Sequence, residues 1–150
     1  MKIAIASDHA GFSLKNSIFS FLQEKGHTVK DFGTYSPERT DYPIYAKEAC
    51  KAVVSGEYEL GILLCGTGVG MSITANKIHG IRAVVCSEPY SAVLSRQHNN
   101  ANVLAMGGRV VGPGLANHIV EEWLAASFQG GVHANRVALI SEIENENKRV

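Results

Sequence analysis

Short β-rich runs alternating with amphipathic helical patterns predict an α/β protein. The expected architecture is a three-layer α/β/α sandwich with a mostly parallel five-stranded sheet, Rossmann-like, in a single domain over residues 1–150. Three observations carry this. The runs end in polar or glycine residues, helical patterns lie between them, and the run Leu60–Cys65 is apolar throughout, as a strand covered on both faces must be. A chain of 150 residues with 45% hydrophobic content is long enough to close one full core.

The elements follow in order. Lys2 to Ser7 reads as a strand, and Leu14, Ile18, Phe21 and Leu22 mark one face of the helix after it, which Gly26 ends. Thr28 to Phe32 is a shorter, more polar strand suited to an edge. The loop Arg39-Thr40-Asp41-Tyr42-Pro43 enters a second helix, with Pro43 in its first turn and Ala46, Ala49, Cys50, Val53 and Val54 as its apolar stripe. After Leu60–Cys65 comes the glycine loop Gly66-Thr67-Gly68-Val69-Gly70, then a short helix around Ser72 to Ile78. Ala83 to Cys86 is a strand, Pro89 to Gln97 a helix and Val103 to Met106 the last strand. Two helices, over about 115–126 and 135–147, complete the chain, and the polar face Glu142 to Arg149 reads as solvated. Strand order is not legible in this pattern.

Composition narrows the function. Lys+Arg and Asp+Glu both number 14, so the basic excess of a nucleic-acid binder is missing. No apolar run reaches the roughly 20 residues of a membrane span, and Asp8 interrupts the N-terminal apolar stretch too early for a signal peptide. Three cysteines without a CxxC pair argue against a disulfide framework or structural zinc, so the expected compartment is the reducing cytoplasm.

Ligands of open α/β sheets bind beyond the carboxyl ends of the strands. There the sequence puts Asp8 and His9, then Cys65 with the glycine loop, then Ser87 and Glu88, and finally Gly107-Gly108-Arg109; the run Gln97-His98-Asn99-Asn100 is expected at the same edge. The loop offers bare backbone and a helix N-terminus, which suit a phosphate or an anion that develops during reaction, although a tight strand-to-helix turn alone also needs glycines. A dinucleotide reading meets G-x-G-x-G instead of G-x-G-x-x-G, with Glu88 standing where a ribose-binding acid would. Cys65 precedes a helix start, where thiolate is favoured, so it is a candidate base or nucleophile; a small buried hydrophobe is the plain alternative. Cys50 belongs to the core by its place on a helix stripe, and Cys86 has no glycine loop after it. Arg109 is a better binding candidate than Arg136, and His9, Cys65 and His98 leave a metal site open as a further alternative.

Taken together, Ser7-Asp8-His9-Ala10-Gly11-Phe12, Arg39-Thr40-Asp41-Tyr42-Pro43, Cys65 to Gly70, Ser87-Glu88-Pro89-Tyr90 and Ser95-Arg96-Gln97-His98-Asn99 resemble the ribose-5-phosphate isomerase B family, which also contains galactose-6-phosphate and allose-6-phosphate isomerases. The resemblance spans nearly the whole chain. It implies interconversion of ribose 5-phosphate and ribulose 5-phosphate without metal or coenzyme, in a homodimer, sometimes paired into tetramers, whose sites draw on both subunits. It implies that Cys65 moves a proton through an enediolate and that the amides of Gly66, Thr67, Gly68, Val69 and Gly70 hold the charged oxygen. Asp8, Thr67 and His98 would surround the ring oxygen, Asn99 would contact a sugar hydroxyl, and His9, Arg109, Arg136 and His133 would surround the phosphate. The C-terminal helix would pack on a partner subunit. Two departures are visible: Val132 stands where some members have arginine, and Met71 where others have a catalytic glutamate. The remaining alternatives are a hexose-phosphate or free-allose isomerase and a nucleotide-binding module.

Overall fold

The computed structural model describes residues 1–147, so Arg149 of the expected solvated face lies outside the described residues. Five strands, β1 (Lys2–Ser7), β2 (Thr28–Asp31), β3 (Leu60–Cys65), β4 (Ala83–Val85) and β5 (Val103–Gly107), form one sheet in the order β2-β1-β3-β5-β4. Every pairing is parallel, which sharpens the expected mostly parallel sheet. The helices are α1 (Phe12–Glu24), α2 (Tyr42–Val54), α3 (Val69–Ala75), α4 (Pro89–Asn99), α5 (Pro113–Ala125) and α6 (Val132–Glu146). Among the described residues, no helix is long and apolar enough to cross a membrane.

Strand alternation makes two cores. Ile3, Ile5, Ile62, Leu64, Leu104 and Met106 face Leu14, Ile18 and Leu22 of α1, Ala92 of α4 and Ile119 and Trp123 of α5. Ala4, Ala6, Leu63, Cys65, Val103 and Ala105 face Ala46, Ala49, Cys50 and Val53 of α2 and Met71 and Ala75 of α3. All six residues of β3 are buried, as its unbroken apolar run requires. Two stripe positions differ from expectation. Val54 is 44% exposed because α2 ends there, and Phe21 only flanks its core while Lys15 occupies the fourth buried position on α1.

The order of the strands sets the site. The chain goes from β1 outward to β2, then returns to the other side of β1 for β3. That reversal opens a crevice at the carboxyl ends of β1 and β3, where backbone elements diverge. Asp8 and His9 follow β1 directly, and Gly66 follows β3.

Helix ends depart from the sequence reading in several places, among them α3 closing at Ala75 and not near Ile78. α3 starts at Val69 and not near Ser72, because Gly68 takes a left-handed conformation (φ 80°) that turns the chain in one residue. α4 runs on through His98 and Asn99 until Asn100 adopts φ 47° and stops it. α6 begins at Val132, which puts His133 in its first turn. Its described residues include no buried one.

Candidate active site

Asp8, His9, Cys65, Gly66, Thr67, Val69, Gly70 and Arg109 line one cleft of about 420 Å3 at the carboxyl edge of β1 and β3. The structure therefore brings eight of the expected residues together. Asp8 is almost fully buried, and its Oδ1 accepts from the amides of Ala10 (2.9 Å) and Gly11 (3.1 Å), which fixes the carboxylate against the turn into α1. Cys65 is 4% exposed, and Gly68 N donates to its Sγ at 3.1 Å. The amide at the helix entrance thus points at the sulfur.

That contact divides the loop amides, which sequence reasoning treated as one cradle. Gly68 N is directed at Cys65, and Val69 N donates to Thr67 Oγ1 at 3.3 Å. Ser72 N makes the first bond back to the loop, to Gly68 O, so the first-turn amides of Gly70 and Met71 have no acceptor inside α3. Gly70 lines the cleft, so its amide is the donor best placed for an anion there. The Tyr42 ring packs closely over this glycine: a Cβ on Gly70 would fall 2.6 Å from Cζ of Tyr42, so a larger residue there would displace the ring.

Three cleft residues were given no site role by the sequence, Ala10, Ile73 and Tyr42, and the aromatic one stands out. The signal was present in Arg39-Thr40-Asp41-Tyr42-Pro43, where an exposed aromatic opens α2 from the cleft side. Thr40 of the same loop matters for His9. Thr40 N donates to His9 Nδ1 at 3.2 Å, so Nδ1 holds a lone pair and the ring proton resides on Nε2. His9 is then a hydrogen-bond donor through Nε2 at the cleft wall. Arg109 follows β5, its guanidinium close to Gly66 and its amide donating to Gly66 O at 3.1 Å.

Four expected site residues lie elsewhere. The sequence reading gathered His98 and Asn99 at the same edge as Cys65, and this is corrected: a helix that connects parallel strands runs back across the sheet, so its last turn arrives at the opposite edge. Arg82, which precedes β4, donates from Nε to Asn99 O at 3.1 Å, and this contact marks the amino edge. His133 stacks on His98 there, with ring centroids 4.1 Å apart and planes at 8°. Partial desolvation lowers the His133 pKa, and His98 and Arg136 add to the effect, so it tends to stay neutral at neutral pH. Arg136 is exposed one turn along α6. Asn99 lines a larger cavity of about 730 Å3 between α6 and the start of β4, but no thiol or acid–imidazole pair of the first cleft reaches it.

Among the described residues of a single chain the rival readings find no assembled site. Glu88 is not free to hold a ribose, because it caps α4 by accepting from Ser91 N at 3.0 and 3.1 Å, and the Ser91 side chain, with that amide, holds its carboxyl below the usual range. Within one chain His98 is separated from His9 and Cys65, and among the described residues no group of three or more His, Cys, Asp or Glu is placed to hold a metal. Cys50 and Cys86 are core thiols: burial pushes the first up to about 12 and the second up to about 11, with Glu88 adding to the latter.

Known proteins resemble this chain in both sequence and fold. The family model described as Ribose/Galactose Isomerase matches residues 3–140. The chain is 61% identical over 143 residues to ribose-5-phosphate isomerase B of Escherichia coli (strain K12), covering 95% of this chain and 96% of that one. It is 47% identical to D-erythrulose-4-phosphate isomerase of Pectobacterium atrosepticum, covering 99% and 98%. The solved structure of Clostridium thermocellum ribose-5-phosphate isomerase B superposes with a TM-score of 0.97 at 54% identity, over 98% of this chain and 99% of that one. With a matching model over nearly the whole chain and relatives this similar, the protein belongs to the ribose/galactose isomerase family.

Proposed function

We propose that this protein is an aldose–ketose isomerase that interconverts ribose 5-phosphate and ribulose 5-phosphate. The observation that carries the reading is Cys65, held by the Gly68 amide at a helix entrance in the cleft that also contains Asp8, in a chain 61% identical to a ribose-5-phosphate isomerase B. After the furanose opens beside Asp8 and Thr67, the Cys65 thiolate takes the proton from C2 to give the enediolate, the hydroxyl proton passes from O2 to O1, and Cys65 returns its proton at C1, leaving the C2 ketone. The charge that develops on oxygen in the enediolate is met by the loop amides, Gly70 foremost, since preorganised donors act where charge appears. His9 and Arg109 hold the phosphate away from the reacting carbons, so they position the substrate.

His98 and Asn99, together with His133 and Arg136, complete this site from a second copy of the chain. Two facts support the homodimer. Each chain carries the two halves at opposite sheet edges, and α6 leaves Val132, Leu139, Ile140 and Ile143 about half exposed or more. A single protomer does not bury such a helix, so α6 packs on the partner.

A kinetic comparison tests the substrate. The kcat/KM for ribose 5-phosphate is expected to exceed those for erythrulose 4-phosphate, allose 6-phosphate, galactose 6-phosphate and free allose. The tetrose phosphate is the serious competitor, because a relative 47% identical is named for it; a higher kcat/KM on it would replace the pentose reading. In a second test, Arg136→Ala is expected to raise KM about ten- to a hundredfold with little change in kcat, since a charged hydrogen bond to phosphate contributes about 1.5–3 kcal/mol of binding. A loss confined to kcat would remove Arg136 from the phosphate.

A further inference from the structure

The proposed reaction leaves one buried charge without a role. Lys15 points from α1 into the interior and is 0% exposed. Its ammonium has three protons to donate, and three acceptors surround it: Asp31 Oδ1 at 2.9 Å, Asp31 Oδ2 at 2.8 Å and the carbonyl of Thr34. The rings of Phe12 and Tyr35 lie 5.3 and 5.5 Å from it. For stability alone, an apolar pair of similar volume often serves as well as a buried ion pair. The question is therefore what this pair holds in place.

It holds one end of the segment from Gly33 to Thr40. Asp31 Oδ1 also accepts from Gly33 N at 2.8 Å, and Gly33 and Thr34 are each bonded to Ser7, the last residue of β1, at 2.6 Å. Asp8 and His9 come next in the chain. The other end of the segment is Thr40, whose amide sets the His9 tautomer and whose hydroxyl pairs with that of Tyr45 at 2.9 Å. The Tyr45 ring returns to Gly33, where a Cβ would fall 2.7 Å from it. The segment is thus tied at both ends around the cleft wall.

We propose that the buried Lys15–Asp31 pair is a positioning device that holds the 33–40 segment so that the Thr40 amide keeps His9 in its Nε2–H tautomer at the sugar-phosphate cleft. The inference rests on the placing of His9 at the substrate phosphate, and its test has one arm that does not depend on turnover.

The full chain carrying Lys15→Met is compared with wild type by long-range 1H–15N spectra of the imidazole rings, with His9→Asn used to identify the His9 signals. Steady-state kinetics with ribose 5-phosphate are measured alongside. The variant is expected to lose the pure Nε2–H pattern of His9 and to raise KM about tenfold while kcat stays within about twofold, as for a misplaced binding group. A folded Lys15→Met with the wild-type His9 spectrum would overturn the proposal, whatever its melting temperature. If Lys15→Met does not fold, Asp31→Asn, which leaves the ammonium a hydrogen-bond partner, is read in the same spectra with the same two outcomes. If wild type fails to isomerise ribose 5-phosphate, the isomerase reading falls while the spectra still decide the role of Lys15.

Discussion

Cys65→Ala is expected to lower kcat on ribose 5-phosphate by about a thousandfold, within the 10²- to 10⁴-fold that a positioned general base contributes, while substrate still binds. Neither of the other two thiols nor the residue just past the loop can take over the proton. Cys50 and Cys86 face the two cores, and their thiols remain protonated far above neutral pH because burial penalises the charged form. Met71, the residue just past the loop, is fully buried and has no proton to exchange. The substitution removes one sulfur from a small core position, so the fold and the contacts of His9 and Arg109 persist. KM or a directly measured dissociation constant should therefore stay within a few-fold of wild type. Retention of more than about a tenth of kcat would contradict the base assignment.

Activity regained by mixing two dead variants is the second large effect. Cys65→Ala and His98→Ala are each expected to be inactive as homodimers, since every site then lacks one essential group. In a mixed dimer, one site combines both defects and the other combines Cys65 of one chain with His98 of its partner. Random pairing of equal amounts makes half the dimers mixed, so co-expression should return about a quarter of wild-type activity. The prediction follows from the strand crossover: α4 carries His98 to the amino edge while Cys65 stays at the carboxyl edge. A mixture as inactive as its parents would mean that each chain completes its own site, and the helix geometry would then need to change on binding.

Much of this was legible in the residues. All five strands begin where the run of apolar residues predicted, and Cys65, Asp8, His9, Thr67 and Arg109 each meet in one cleft because strand ends are short, local features. Helix ends were less legible. The polar run from Gln97 to Asn100 resembles the close of a helix, yet the final turn at His98 and Asn99 forms because Asn100 accepts the left-handed conformation two residues later than the apolar pattern stops. Lys15 hid for a different reason. On a sequence it is one more solvated lysine of an amphipathic helix, and only Asp31, sixteen residues on and in a neighbouring strand, explains why it is buried.

The sequence by itself determined the layers, the parallel sheet and the family's motifs, because apolar periodicity and glycine at tight turns act over a few residues. Tertiary structure alone decided the strand order, and with it the crevice between β1 and β3. It also decided which candidate groups share a cleft. A motif at the end of a strand and a motif at the end of the following helix look alike on paper, but a helix of α4's length carries its last turn across the whole sheet. That distance separates His98, Asn99, His133 and Arg136 from Cys65 within one chain, and the proposed second copy would reunite them.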